Sequence, residues 1–234
     1  MKYKIALIII LIISFILPLG IVPLFDLDEG AFSEATREML NSGDYITTYL
    51  NGNLRFDKPI LIYWLQLLSV KSFGLNEFAL RLPSALAGIA WVWATFEFAK
   101  KYYGELRAFL VAVMMATSLQ ISIIAKAAIA DSLLNLLIAT SIFAIWLYID
   151  SKKEKFLLSA FALIALGTLA KGPVAIMVPL VTTAIYLGIK RDFKLFFKMI
   201  FNYKGILIFL IIALPWYLLE YQAQGQKFID GFFL

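Results

Sequence analysis

Long runs of uncharged, apolar residues recur along this 234-residue chain and leave few folds open to it. The first run carries no charge from Ile5 to Phe25, and about 20 apolar residues are enough for a helix to cross the hydrocarbon of a bilayer. Six further runs, uncharged except for Glu97 in the first of them, follow at 82–99, 108–125, 132–149, 156–170, 172–189 and 205–219. The sequence therefore predicts an all-α polytopic membrane protein with about seven transmembrane helices.

The overall composition supports this class and excludes others. Charged residues make up 16% of the chain and hydrophobic residues 62%, whereas soluble domains carry about 25% charged residues. The net charge of +5 is spread in small groups between apolar runs, so we expect the lipid bilayer and no nucleic acid as a partner. Because the chain has no His and no Cys, any chemistry must use carboxylates, Lys, Arg and Tyr.

The N-terminal segment has the charge pattern of a signal peptide but not its length. Lys2 and Lys4 precede an apolar stretch that is longer than the roughly 7–15 residues of a signal-peptide core. No small-residue cleavage site follows that stretch. We therefore expect residues 1–25 to remain as the first span.

Lys and Arg accumulate on one side of the predicted membrane. With a cytoplasmic N-terminus, that side receives 13 of the 21 basic residues but only 5 of the 16 acidic ones. Cytoplasmic loops carry an excess of Lys and Arg. The sequence thus predicts a cytoplasmic N-terminus, with the first loop and the C-terminus on the outer side.

This orientation divides the chain into parts of a single transmembrane domain. After the first span come an outer loop at 26–80, six further spans within 81–221, and the start of a second outer loop at 222–234. The chain then stops at Gly231-Phe232-Phe233-Leu234 without a polar tail, which suggests a truncated or fragmentary product.

Two helices that do not span the membrane are expected in the first outer loop. The first covers 29–40, with Asp28 as its N-cap and Gly43 beyond its end. The second covers 59–73, ends at Gly74 and is too short to cross. We expect both to lie in the membrane interface, separated by a turn at Asn51-Gly52-Asn53.

An acidic cluster, Asp26, Asp28 and Glu29, follows the first span. Neighbouring carboxylates raise at least one pKa, which prepares a general base or a cation-binding site. The structural alternative is a solvated helix start, with Asp28 as the cap and Glu29 near the positive end of the helix dipole. Spacing alone leaves both open.

Two lysines lie where helices are expected to begin or end. Lys58, in Asp57-Lys58-Pro59, precedes a helix N-terminus, where free N–H groups attract phosphate. Lys171 is the only charge between Phe156 and Ile189, and Gly172-Pro173 after it predicts the turn of a helical hairpin. The alternatives are an N-cap with an interfacial lysine at Lys58, and a lysine that reaches toward the headgroups at Lys171.

Three more ionisable residues are predicted to share the outer side with these. They are Arg81, Lys126 and Asp131. Acids and bases at one face of an apolar bundle are costly unless they pair or hold a ligand. The predicted topology therefore favours a functional cluster.

The order of these motifs resembles a known family. The motifs are Asp28-Glu29, Ser42-Gly43-Asp44-Tyr45, Phe56-Asp57-Lys58-Pro59 with Tyr63-Trp64, Arg81-Leu82-Pro83-Ser84, Ala130-Asp131, Ala170-Lys171-Gly172-Pro173 and Pro215-Trp216-Tyr217. The chain is similar in these to integral-membrane glycosyltransferases of the GT-C superfamily. Its pattern resembles the enzymes that add aminoarabinose to lipid A and, more distantly, the dolichyl-phosphate-mannose protein mannosyltransferases.

This resemblance implies an inverting transfer of a sugar from a polyprenyl-phosphate donor to a lipid A-like, glycan or protein acceptor. It would take place at the outer face of a bacterial-type inner membrane. Asp28, Glu29 and Asp131 match catalytic carboxylates, while Lys58, Lys171, Arg81 and Lys126 match cations for the donor phosphate. For Arg81 the resemblance also allows a structural role. Asp57 and Tyr63 would support them, and Asp57 is the candidate for a divalent metal.

The sequence also departs from this family. Relatives continue for several hundred residues, with an Arg and a His soon after the point where this chain stops, and the missing His weakens a metal site. Two other interpretations therefore stay open: a carrier or flippase of polyprenyl phosphate, and a catalytically silent fragment. A flippase should show charges along a path across the bilayer, and these are scarce here.

Overall fold

A computed structural model describes residues 2–25 and 27–233 of the chain, with only the backbone at Phe233. Asp26, which the sequence groups with Asp28 and Glu29, lies outside the described residues, as do Met1 and Leu234. Helices and their connecting segments make up the described chain apart from one small hairpin. Its elements are α1 (Lys2–Leu11), a π-helical stretch (Ile12–Ile16), α2 (Asp28–Ser42), β1 (Tyr49–Leu50), β2 (Asn53–Leu54), α3 (Leu61–Phe73), α4 (Glu77–Tyr103), α5 (Glu105–Thr117), α6 (Leu119–Ala125), α7 (Asp131–Ser151), α8 (Glu154–Lys171), α9 (Val174–Ile189), α10 (Phe193–Ile200), α11 (Tyr203–Gln224) and α12 (Gln226–Phe233).

The chain divides into two compact units. Unit 1 contains the described residues of Met1–Arg55 and Ile60–Leu136, and unit 2 contains Phe56–Pro59 and Leu137–Leu234. The division into two units does not test whether residues 1–234 form a single transmembrane domain, so that expectation stays a prediction.

The main core of unit 1 is formed by α1, the π-helical stretch, α4, α5 and α6. On α5, Ala108, Ala112 and Ala116 repeat every fourth residue and are buried. Small side chains at this spacing let helix backbones approach closely, as is common in membrane proteins. The α5 stripe faces this core, where Leu7, Leu11 and Phe15 are also buried.

The two helices expected in the first outer loop are present in unit 1. α2 ends at Gly43, whose φ of 73° is the left-handed conformation that glycine adopts readily. Its N-cap is Leu27 rather than Asp28, which is the first residue inside the helix. α3 begins at Leu61, two residues later than expected, and ends at Gly74.

The turn between these helices closes a two-stranded hairpin. Tyr49 pairs with Leu54, and Leu50 with Asn53. Asn51 and Gly52 form the two-residue turn, with positive φ angles of 53° and 75°. Turns with positive φ at both central residues are common in hairpins because their twist matches that of the paired strands.

Unit 2 contains the predicted helical hairpin. α8 ends at Lys171, Gly172 caps it at a φ of 74°, and Pro173 is the N-cap of α9. At the other end of these helices Tyr148, Leu157, Leu187 and Met199 form a buried cluster. Two short helices that the sequence did not predict, α10 and α12, also belong to this unit.

Within the described residues, three helices are long and apolar enough to cross a membrane, namely α4, α7 and α11. α5 and α6 together would make a fourth span, with a bend of 66° between them. α9 is apolar but only 16 residues long, and the 18 residues of α8 include three charges. The chain is thus a multi-pass membrane protein with three or four span candidates, and seven spans stay a prediction.

Candidate functional site

Glu29 lies at the centre of a buried polar network in unit 1. Its side chain is 3% exposed and that of Arg81 is 5% exposed. Nε of Arg81 donates to Oε1 of Glu29 at 2.9 Å, and Nη2 donates to Oε2 at 2.8 Å. This two-pronged geometry is the strongest form of an Arg–carboxylate pair.

Two backbone N–H groups complete the surroundings of the Glu29 carboxylate. Phe25 N donates to Oε2 at 2.7 Å, and Ala128 N donates to Oε1 at 2.6 Å. Burial alone would raise the pKa of Glu29, but the hydrogen bonds from Arg81, Phe25 and Ala128 outweigh it and lower the pKa below the ordinary 4.5. Glu29 is therefore not a carboxylate with a raised pKa, and the expectation that at least one pKa of the acidic cluster is raised stays a prediction.

Arg81 uses all of its donors inside the protein. Besides its two bonds to Glu29, Nη1 donates to the carbonyls of Leu19 and Val22, and Nη2 donates to that of Pro23. A guanidinium group has five N–H donors, so none is left for a donor phosphate. These bonds favour the structural role that the sequence left open for Arg81. The side chain connects the end of the first helical segment to α2 and α4.

The segment between α6 and α7, residues 126–130, is held by buried side chains of three other helices. Its Ala128 N–H binds Glu29, and its Ala128 carbonyl accepts from Nε2 of Gln66 at 3.2 Å. The hydroxyl of Ser84 donates to the Ile129 carbonyl at 2.8 Å. Gln66 is itself fixed, because Oγ1 of Thr36 donates to its Oε1 at 2.7 Å. We call residues 126–130 the held loop.

The two ionisable residues expected between these spans lie at the ends of the held loop. Lys126 is the C-cap of α6, and Asp131 is the first residue of α7. Both side chains are half-buried. Lys126 and Asp131 thus flank the loop whose Ala128 N–H binds Glu29. A site shared by Glu29, Lys126 and Asp131 stays a prediction.

Asp28 is placed differently from its neighbour. It is the first residue of α2, and its side chain is exposed. Its carboxylate forms no hydrogen bond or ion pair with another described residue. Glu29 is thus buried and hydrogen-bonded through both carboxylate oxygens, while Asp28, its neighbour in the acidic pair, is exposed at the start of α2.

In unit 2 the segment that carries Lys58 packs on α12. The ring of Phe56 lies 5.6 Å from that of Phe228, and a Cβ on Gly231 would be 2.6 Å from the Phe56 ring. Gly231 therefore lets the backbone of α12 approach the ring closely. In this segment Asp57 is exposed and Lys58 is half-buried.

The Lys171 turn contacts the same helix. Phe232 lies 3.7 Å from the position of a Cβ on Gly172. It also packs at 5.7 Å against Tyr217 and at 5.4 Å against Phe228. α12 thus joins the two segments that carry Lys58 and Lys171 through one aromatic cluster.

Tyr63, predicted as a supporting residue, is fully buried. Its ring stacks on Phe32 at 5.4 Å, and the guanidinium of Arg55 lies 5.3 Å from that Phe32 ring. Tyr63 therefore joins α2 to α3. Among the described residues no group of three or more Asp and Glu is arranged to hold a metal ion, and Asp57 as a metal ligand stays a prediction.

Several residues of this site were missed from the sequence. Gln66, Thr36 and Ser84 look like ordinary polar residues of helices, and only their partners 14 to 62 residues away reveal them. Phe228 and Phe232 carried a signal that could have been used, since two aromatic residues four apart share one face of a helix.

The comparison with protein families gives a match over most of the chain. The family model for dolichyl-phosphate-mannose-protein mannosyltransferases matches residues 57–218. An uncharacterized protein of Aquifex aeolicus is 34% identical over 222 residues, which are 95% of this chain and 50% of that protein.

Relatives of named activity and a solved structure also match. The undecaprenyl phosphate-alpha-4-amino-4-deoxy-L-arabinose arabinosyl transferase of Shewanella sediminis is 26% identical over 91% of this chain and 39% of that protein. The crystal structure of ArnT from Cupriavidus metallidurans bound to undecaprenyl phosphate has a TM-score of 0.92 at 23% identity and covers 100% of this chain and 44% of that one. The fold is therefore that of ArnT, and this chain spans half or less of the length of these matches.

Proposed function

Because this chain belongs to the dolichyl-phosphate-mannose-protein mannosyltransferase family, we propose that it transfers a sugar from a polyprenyl-phosphate donor to a lipid A-like, glycan or protein acceptor. The arabinosyl transferase relatives support a lipid-linked donor. The undecaprenyl phosphate bound to the ArnT structure supports a polyprenyl phosphate as the lipid.

One observation carries this proposal: the exposed carboxylate of Asp28 stands beside the buried Glu29–Arg81 pair. The pair fixes the start of α2, so Asp28 keeps a defined position while it stays open to a ligand. A general base needs this combination of fixed geometry and access. Asp28 would take the proton of the acceptor hydroxyl as the acceptor oxygen attacks the anomeric carbon.

The bond that breaks joins the sugar to the donor phosphate, and the leaving polyprenyl phosphate carries the electron pair away. Cations near that phosphate stabilise its growing charge. Lys58 and Lys171 are our candidates, since the segments that carry them meet the same aromatic cluster on α12. Lys126 and Asp131 would contact the substrate from the held loop.

We place the reaction at the outer face of a bacterial-type inner membrane, with the N-terminus in the cytoplasm. We propose seven spans. Four are the candidates α4, α5 with α6, α7 and α11. The other three are α1 with the π-helical stretch, α8 and α9. Flanking lysines would then reach into the headgroups.

The test is transfer from a radiolabelled polyprenyl-phosphate sugar pool in membranes that contain the chain. Label should move to an acceptor with the parent chain and fall at least about 100-fold with Asp28→Asn, since a positioned base contributes about 10²–10⁴-fold. Glu34→Gln removes another carboxylate of α2 and should keep activity. Equal loss in both variants, or none in Asp28→Asn, contradicts the role of Asp28. If the parent chain inserts into the membrane but transfers no label, the result would favour the alternative that the chain is a catalytically silent fragment.

A second comparison tests the phosphate site. Lys58→Ala should weaken binding of the donor lipid much more than Lys126→Ala, because we assign Lys58, together with Lys171, to the phosphate and place Lys126 elsewhere on the substrate. Binding of a non-hydrolysable donor analogue gives the measurement. Equal effects would remove Lys58 from this role, and loss of activity with EDTA would support a metal at Asp57.

A further inference from the structure

Unit 2 contains a partly open apolar cavity that the proposed reaction does not use. Its volume is about 270 Å³, and it lies among α8, α9, α10 and α11. Its lining includes Leu157, Ala160 and Phe161 of α8, Pro179 of α9, and Phe196 and Ile200 of α10. A water molecule occupies about 30 Å³ of liquid, so the space suits a much larger apolar group.

The cavity offers almost no hydrogen-bonding group to a ligand. Thr183 is its single polar side chain, and the Thr183 hydroxyl donates to the Pro179 carbonyl at 2.7 Å. Cavities with apolar walls do not hold ordered water and accept apolar ligands. The chemistry of the lining therefore favours a hydrocarbon chain.

α10, which forms one wall of the cavity, has three distinct faces. Leu195, Phe196 and Met199 face the core of unit 2. Phe193 and Phe197 are more than half exposed, and Lys194 and Lys198 occupy the remaining face. A short helix with separate apolar and basic faces is typical of a membrane interface, where its aromatic rings contact lipid and its lysines lie at the headgroups.

Positive charge is concentrated at this end of unit 2. Lys204 is paired with Glu154 at 3.1 Å, and Asp192 caps α10 by accepting from Leu195 N at 3.1 Å. Four exposed basic residues lie in or directly before α10: Lys190, Arg191, Lys194 and Lys198. Charge complementarity therefore selects an anionic headgroup next to a cavity that selects a hydrocarbon chain.

This end is far from the cation proposed for the sugar donor. Lys171 closes the opposite end of α8, which has 18 residues, so about 27 Å of helix separates Lys171 from the α10 end. We propose that the α10 cavity binds an anionic phospholipid, with one acyl chain among α8–α11 and its phosphate at the basic residues of α10. This site is independent of the sugar transfer.

Native mass spectrometry of the purified chain tests this site directly. The detergent-solubilised chain is incubated with dioleoyl phosphatidylglycerol or dioleoyl phosphatidylcholine, and bound lipid is counted per chain. We expect one phosphatidylglycerol to be retained in preference to phosphatidylcholine. Lys194→Gln with Lys198→Gln should weaken its binding on the order of tenfold or more, since each basic residue contributes about 1 kcal/mol near an anionic surface.

Two controls separate this site from general charge and from headgroup binding alone. Lys152→Gln with Lys153→Gln removes the same charge from another loop of unit 2 and should leave retention unchanged. Dihexanoyl phosphatidylglycerol should bind at least about tenfold more weakly than the dioleoyl lipid, because each buried methylene adds about 0.8 kcal/mol. Equal retention of both headgroups, equal loss in both double variants, or equal binding of short and long chains would overturn the proposal. All four lysines are exposed, so the double variants should fold.

Discussion

Glu29 and Arg81 together fix the start of α2, where Asp28 also lies. The Glu29 carboxylate accepts from Arg81, from Phe25 and from Ala128, and so joins α2 to α4 and to the held loop. A buried ion pair adds little net stability compared with apolar residues, but loss of one partner leaves a buried charge without compensation. The pair thus contributes mainly to the position of the site.

Replacement of Glu29 should therefore be costly. Glu29→Gln leaves the Arg81 charge buried without its counter-ion, and we expect a loss of about 3–5 kcal/mol in the free energy of unfolding. Thermal unfolding in detergent, followed by tryptophan fluorescence, measures the change. Glu34→Gln on the same helix is the matched control, because its exposed pair with Arg37 is screened by water. A small change in Glu29→Gln would contradict the assigned role.

The same carboxylate predicts a dependence on pH. The folded-state pKa of Glu29 is lowered below 4.5, mainly by bonds that outweigh its burial, so its stabilising effect is complete above pH 4.5 and is lost as pH falls through the lowered pKa. The difference in melting temperature between the parent chain and Glu29→Gln should then narrow below pH 4.5. A difference that stays constant on acidification would show that Glu29 does not titrate in this way.

At this scale the sequence identified the acidic pair but not the division of roles within it. Asp28 and Glu29 are adjacent and chemically alike, and the residues that distinguish them are Arg81, 52 positions later, and Ala128, 99 positions later. No local pattern contains such partners. The role of Arg81 was left open for the same reason, since its three carbonyl partners precede α2.

Among the helices, the contact between α8 and α9 depends on a glycine. A Cβ on Gly167 would lie 2.8 Å from the Cβ of Ala175, too close for two carbon atoms. Gly167→Ala should therefore destabilise unit 2 by about 1–3 kcal/mol through overpacking. Gly188→Ala meets nothing within 4 Å and should stabilise α9 by up to about 1 kcal/mol. Melting temperatures of the two variants that move in the same direction would contradict this packing.

Elements with local start and stop signals were predicted well. α2, α3 and the α8–α9 turn end at Gly43, Gly74 and Gly172, which the sequence marks directly. α12 was missed because its contacts are with Phe56 and Trp216 rather than with neighbours in sequence. α10 was not predicted, because its eight residues are too few for a span.

For the whole molecule, the family and the multi-pass class followed from the sequence because they depend on many motifs and on apolar content. The number of spans was harder to predict. Apolar runs continue through bends and charged ends, as at the 66° bend between α5 and α6, so a run counted as one span need not be one straight helix.

The absence of cysteine in this chain allows a direct test of the proposed orientation. Single cysteines at two exposed positions, Asn51→Cys and Lys153→Cys, should react differently with a membrane-impermeant maleimide applied to intact spheroplasts. We expect label at position 51 before lysis and at position 153 only after lysis. The reverse pattern would invert the proposed topology.

The hydrogen bond between Glu29 and Ala128 also sets an order for biogenesis. Their 99-residue separation corresponds to about 5–20 s of synthesis at about 5–20 residues per second. During that time the ribosome synthesises the helices from α3 to α6. The Glu29 carboxylate still lacks its hydrogen bond from the Ala128 N–H in this interval. The acidic end of α2 therefore reaches its final surroundings only after the held loop has been synthesised. This region is completed late in assembly although α2 is among the first parts to be translated.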